Sequence, residues 1–338
     1  MKKKRMSIAV LSALLLLAGC SNDTTDSFEV PFEGELNHVH GMGYAGEENG
    51  LYFASHTGPK IYRDGEWFET ADNFYDYMGF NAVDEGFYSS GHPSADSDLP
   101  NPLGIQRSID GGETLEEIAF QGETDFHAMA VGYNSHDIFL LNPAKNSLLE
   151  AGFYKSNDKG ESWEPVKAEG LNGEVTALAL HPTDSNFVAA ATAAGVYFSQ
   201  DGGEVFEAIT AGNETGTAVH FTEDQLYFGS YGTAAALVKY TMENEELEPV
   251  DTPDLSQDAI AFIAQNPMDG MELAIYTFEG NAYLSEDGLQ TWKREKPSRN
   301  QHGMCGEKFG NLDFQSMTIL SPCGGLATNG SMKWNNTR

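Results

Sequence analysis

Ser156-Asn-Asp158-Lys-Gly160-Glu-Ser162-Trp163 decides how this chain is read, because it recurs. Related runs are Ser108-Ile-Asp110-Gly-Gly-Glu-Thr114-Leu115, Ser199-Gln-Asp201-Gly-Gly203-Glu-Val-Phe206 and Ser285-Glu-Asp287-Gly-Leu-Gln-Thr291-Trp292. Their aspartates lie 48, 43 and 86 residues apart. Since the last interval is twice the one before it, one unit between Asp201 and Asp287 has lost its motif, and Leu237 to Val250 occupies its place. A shortened copy, Ile61-Tyr-Arg-Asp64-Gly65-Glu-Trp67, stands 46 residues upstream of Asp110. Self-similarity at such a period, six times over, marks a radially repeated architecture.

The motif is explained by a hairpin turn. Glycine supplies positive φ, Asp and Ser bond the turn's own backbone, and the terminal aromatic packs under a neighbouring strand. Asp110, Asp158, Asp201 and Asp287 are therefore structural rather than catalytic. Around the turns the chain alternates as short strands: in unit four Val175 to His181, Phe187 to Ala193, Gly195 to Ser199 and Val205 to Ile209. Four strands in each of six units, over residues 36–296, predict an all-β fold, a six-bladed β-propeller.

The composition agrees and narrows the function. The chain has 338 residues, with 51 Asp and Glu against 19 Lys and Arg, a formal charge of −32. A body so acidic repels phosphate, which excludes nucleic acid as a partner. At the N-terminus Lys2, Lys3, Lys4 and Arg5 precede an apolar run, Ser7 to Ala18, too short to span a bilayer comfortably. Residues 1–19 are thus expected to be a signal peptide. Leu17-Ala18-Gly19-Cys20 resembles a bacterial lipobox, which implies cleavage before Cys20, lipidation of that cysteine and anchorage on the outer face of the cell membrane. Loss of those four basic residues takes the balance to −36. Residues 20–35 are expected to carry the lipidated Cys20 and a tether, and the exported body to be a monomer.

Residues 297–338 stand outside the repeat as an atypical tail, with Arg299, Lys308, Lys333 and Arg338 against Glu307 and Asp313. Cys305 and Cys323 either close a disulfide there or remain unpaired.

In a propeller blade the start of the first strand and the end of the second share one face, opposite the Asp-bearing turns. Those positions hold His38, His40, Asp76, Tyr77, Asp125, His127, Glu174 and Asp258 at first-strand starts, and His56 and His92 at second-strand ends. The insert Gly91 to Pro102 is expected to overhang the same mouth. His38, His40, His56, Tyr77, His92 and His127 are candidate ligand-binding residues. With Cα atoms about 6.7 Å apart on one side of a strand, His38 and His40 could share a divalent metal with His127 or Asp125. The other reading leaves each histidine bonded to backbone or loop. Asp76, Asp125 and Asp258 are candidate catalytic acids for a glycosidic bond. His136, His181 and His220 read as structural, and Met42, Met78 and Met129 as core.

The motif runs resemble Asp-boxes, Ser-x-Asp-x-Gly-x-Thr-Trp. The second copy matches nearly throughout, the first lacks the aromatic, the third lacks Thr, and the fourth has Leu289 where a glycine belongs. Together with His38-Val-His-Gly-Met-Gly43, Asp76-Tyr-Met-Gly-Phe80, Ser90-Gly-His-Pro93, Asp125-Phe-His-Ala-Met-Ala-Val-Gly132 and Ala264-Gln-Asn-Pro267, residues 38–292 resemble a bacterial lipoprotein family of Asp-box (BNR-repeat), glycosyl hydrolase-like or sortilin-like β-propellers. The resemblance implies an exported propeller that binds a glycan, a peptide, a small molecule or a metal-bearing ligand, or else a glycosyl hydrolase. Sialidase activity is not expected. Such enzymes clamp a carboxylate with three arginines, and Arg5, Arg63, Arg107, Arg294, Arg299 and Arg338 are placed away from the mouth.

Overall fold

A computed structural model describes residues 27–46, 50–210 and 212–297. The expectations for the signal peptide, for Cys20 and for residues 298–338 with Cys305 and Cys323 lie outside the described residues. The described chain contains strands and no helix, arranged as six antiparallel sheets.

Blade one holds β1 (Glu29–Pro31), β2 (Val39–Ala45), β3 (Gly50–Ser55), β4 (Lys60–Arg63) and β5 (Glu66–Thr70). Blade two is β6 (Asp76–Val83), β7 (Gly86–His92), β8 (Ile105–Ser108) and β9 (Glu116–Ala119). Blade three is β10 (Met129–Val131), β11 (Ile138–Asn142), β12 (Gly152–Ser156) and β13 (Glu164–Val166). Blade four is β14 (Val175–Leu180), β15 (Val188–Thr192), β16 (Gly195–Ser199) and β17 (Glu207–Ala208). Blade five is β18 (Thr215–Phe221), β19 (Gln225–Tyr231), β20 (Ala235–Thr241) and β21 (Glu246–Val250). Blade six is β22 (Ile260–Asn266), β23 (Asp269–Thr277), β24 (Ala282–Ser285) and β25 (Lys293–Glu295). First strands touch in sequence around the ring, and β22 returns to β2. The fold is the expected six-bladed β-propeller.

Glu29–Pro31, expected within the tether, instead adds a fifth strand. It pairs with β5, Val30 opposite Glu69, and Glu29 takes an ion pair of 2.5 Å from Arg63. An outermost strand with a bonded partner cannot serve as a flexible spacer there.

The four Ser-x-Asp turns share one wiring. In the second, Ser156 Oγ donates to Asp158 Oδ1 at 2.7 Å and accepts the Gly160 N–H at 2.8 Å. Asp158 in turn accepts the Ser162 N–H at 2.8 Å and its hydroxyl at 2.5 Å. Gly160 has φ 95°, a conformation glycine adopts without Cβ strain. In the fourth turn Leu289 fills the place of that glycine at φ 71°, and its N–H still reaches Ser285 Oγ at 3.0 Å.

The core is divided into six apolar clusters, each shared by two neighbouring blades. Strand alternation does this. On β3, Tyr52 and Ala54 face blade two while Leu51 and Phe53 face blade six. Met42, Met78 and Met129 are all buried.

Candidate functional site

Two local devices place the site. On β2, Val39 pairs with Ser55 and Gly41 with Ala54, so His40 is the extra residue of a β-bulge. A bulge re-aims the side chain it carries. His38 precedes the strand with φ 50°; the two histidines therefore do not share a strand side as the alternation predicted. Second, a Cβ on Gly41 or Gly43 would come within 2.6 Å of the Phe80 or Ala82 Cβ. Only residues without one let β2 lie so close to β6, and that approach seats His40 beside Asp76, the first residue of β6.

One group comprises His40, His56 and Asp76. His40 Nε2 and His56 Nε2 are 3.2 Å apart. Asp76 Oδ2 lies 2.7 Å from His56 Nδ1, and Oδ1 lies 3.9 Å from His40 Nε2. His38 closes one side, its ring 5.1 Å from that of His56. A second group centres on Asp125, whose Oδ2 is 3.4 Å from His92 Nε2 and 3.2 Å from His127 Nδ1. Its Oδ1 accepts the Ser90 hydroxyl at 3.3 Å, while Ser90 Oγ accepts the Phe126 N–H at 2.9 Å. Pairing of Asp76 with His92 across β6 and β7 ties the two groups together. The insert after β7 reaches the site through Asn101, whose Oδ1 is 2.7 Å from His92 Nδ1.

Burial lowers the pKa of His40 to about 4, aided first by His56 and more weakly by His127 and His38, with Asp76 opposing. At neutral pH His40 is therefore an uncharged imidazole with one ring nitrogen free to accept. A neutral imidazole at His40, beside further imidazoles and carboxylates, suits a cation or a ligand rich in hydrogen-bond donors.

Other expected residues stand elsewhere. Tyr77 is fully buried among Tyr75, Phe87 and the rest of the blade one–blade two core, so it presents nothing to the mouth. Asp258 is 7% exposed, and its carboxylate accepts the N–H groups of Ala259 and Glu279 and the Asn281 amide. It closes a loop of blade six, and no contact among the described residues joins it to either group. Of the expected metal trio only His40 belongs to a set with ligand atoms within 4.8 Å of one another; His56 and Asp76 complete it in place of His38 and His127. His136 donates or accepts between Asp84 and Tyr88, His181 lies against backbone near Glu223, and His220 accepts the Gln265 N–H. Arg63, Arg107 and Arg294 contact Glu29, Glu85 and Asn281, so no arginine triad forms among the described residues.

A cleft of about 380 Å³ adjoins the first group, with His38, His56, Phe32, Asn37, Lys60 and Glu69 in its wall. Sequence reasoning missed Lys60 and Glu69, which lie on β4 and β5 and carry no motif. Ser90 had a signal, since it stands in the Ser90-Gly-His-Pro93 run.

No family model matches the chain, and no curated protein matches it. Among solved structures, an ancestral GH74 enzyme aligns with a TM-score of 0.50 at 14% identity, over 79% of this chain and 39% of that one. The extracellular domain of BT4673 from B. thetaiotaomicron gives 0.50 at 16% identity, over 79% of this chain and 34% of that one. The GH74 enzyme of Niastella koreensis gives 0.48 at 16% identity, over 78% of this chain and 46% of that one. The chain spans less than half the length of each, and at such identities the likeness to the first two establishes one thing, the fold.

Proposed function

We infer that the chain is an exported, lipid-anchored Asp-box propeller that binds a ligand at the mouth where blades one to three present their histidines and acids. The observation that carries this reading is the convergence of five histidines with Asp76 and Asp125 in two neighbouring groups, the first of which adjoins, through His38 and His56, a cleft of about 380 Å³, a volume within the range of small-ligand sites. The acidity of the body favours a neutral or cationic ligand, such as an uncharged glycan or a basic peptide, over an anionic one. The test is a screen of the exported chain on glycan and peptide arrays. A ligand whose affinity falls about tenfold or more in His127→Ala and Asp125→Asn supports the reading; a ligand bound equally by both variants overturns it. Labelled palmitate entering the wild type and not Cys20→Ser is the matching result for the anchor.

A second reading, hydrolysis of a non-sialic glycan, is favoured by two half-buried carboxylates on neighbouring blades, Asp76 and Asp125. Release of reducing sugar that disappears in Asp125→Asn while binding persists would select it.

A further inference from the structure

We propose that His40, His56 and Asp76 form a binding site for a divalent transition-metal ion, with coordination positions left open beside the cleft. It stands on the geometry of these three side chains and does not depend on which ligand the mouth takes.

Two nitrogens bound to one tetrahedral zinc at ordinary Zn–N lengths lie about 3.3 Å apart. His40 Nε2 and His56 Nε2 are 3.2 Å apart already. A single proton shared between the two rings would account for that distance, and Asp76 Oδ2 lies 2.7 Å from His56 Nδ1, but the other carboxylate oxygen is left over. Asp76 Oδ1 is buried and has no hydrogen-bond partner, although it points to within 3.9 Å of His40 Nε2. A buried carboxylate oxygen without a donor is costly, and a cation among the three groups satisfies all of them at once. One ligand atom from each residue falls within 4.8 Å of the others.

The backbone supports the same conclusion. The bulge directs His40 out of the strand alternation, and the Gly41 and Gly43 contacts hold β2 against β6. These features fix two ligands on different strands of adjacent blades, as a preformed site requires. Two imidazoles and one carboxylate select a first-row transition ion over calcium or magnesium, which take oxygen ligands. Three protein ligands leave at least one position for water or a ligand donor. His56 also belongs to the cleft wall, so a molecule seated there lies next to that position.

The test uses the full exported chain without a histidine tag, stripped with EDTA and titrated with Zn²⁺ by calorimetry and with Co²⁺ by absorption. The expected result is one equivalent of Zn²⁺ and a Co²⁺ d–d band. His40→Ala and His56→Ala weaken Zn²⁺ at least about 100-fold and Asp76→Asn at least about 10-fold, whereas His181→Gln, at a histidine bonded to the Glu223 backbone away from the site, stays within about threefold. Circular dichroism melts show which variants remain folded, and Asp76→Glu, which keeps a carboxylate, is expected to retain more affinity than Asp76→Asn. Absence of a Co²⁺ band, or Zn²⁺ affinity unchanged in folded His40→Ala and His56→Ala, would overturn the site. A metal-binding chain with no array ligand would sink the ligand reading and leave this one standing.

Discussion

At the residue scale, the third Ser-x-Asp turn is a natural deletion. Asp110, Asp158 and Asp287 each receive a hydroxyl from Thr114, Ser162 or Thr291, at 2.6, 2.5 and 2.6 Å. Asp201 lacks that hydroxyl: the matching position is Val205, which gives it only an N–H, at 2.9 Å, and is 44% exposed. Val205→Thr keeps the shape and restores the donor, so the urea midpoint is expected to rise by an amount equivalent to about 0.5–1.5 kcal/mol; no rise would mean the hydroxyl bond is silent in the other turns too. A second residue-scale effect comes from His220. Burial lowers its pKa to about 4, and its Nε2 accepts the Gln265 N–H at 3.1 Å. The unfolded side chain titrates near about 6.5, so the unfolded state binds more protons between these values. The neutral ring's contribution is complete above about 6.5 and is lost as pH falls toward about 4. Urea midpoints in EDTA should therefore drop from pH 7.5 to pH 4.5, and His220→Gln, which accepts without titrating, should flatten the slope. His40 adds to the same window, so the slope is reduced rather than abolished. The turn aspartates act lower: hydrogen bonds from Thr291 hold Asp287 at about 2, and its contribution is lost only below the usual carboxylate range.

At the element scale, the pairing of β6 with β7 carries the site, since Asp76 and His92 are opposite each other and Tyr77 is opposite Gly91. Gly91 has φ 115°, and a Cβ there would stand 1.9 Å from the Asp76 carbonyl oxygen. Gly91→Ala is expected to break this end of the ladder, costing at least about 1–3 kcal/mol and weakening any ligand that contacts Asp76 or His92. Unchanged binding with lowered stability would separate the ladder from the site. The same strands mark what a sequence discloses. Blade number and strand order follow from the 43- to 48-residue spacing of the turns and from two-residue alternation, which are local properties. The metal trio does not, because alternation puts His38 and His40 on one side while a one-residue bulge redirects His40. Bulges depend on the partner strand, so they leave no mark in the strand that carries them. Tyr77 misleads for a related reason: next to the partly buried Asp76, on a strand with cores on both faces, the neighbouring position turns inward.

At the scale of the whole molecule, the ring must close, and among the described residues it does so without a shared strand. Every sheet is built from consecutive strands, with β1 added at the rim of its own blade. The seam between blades six and one is held by side chains instead. Phe53 packs edge-to-face against Tyr276, ring centres 5.9 Å apart, within a cluster drawn from both blades. Across it Tyr44 donates to Glu272 Oε1 at 2.6 Å, and burial together with that carboxylate pushes the phenol above its ordinary range. Asn266 is the other donor to this oxygen, at 3.2 Å. Tyr44→Phe removes a hydrogen bond to a charged acceptor and leaves the packing intact, so the expected loss is about 1.5–3 kcal/mol. Where that loss appears is the sharper test. A ring joined by side chains at one seam opens there before it unfolds elsewhere, so amide exchange in the variant should accelerate in β2, β3, β22 and β23 while β11 and β15 keep their protection. Uniform acceleration in all six blades would show that the seam opens only with the whole ring, and that closure is distributed over the six inter-blade cores.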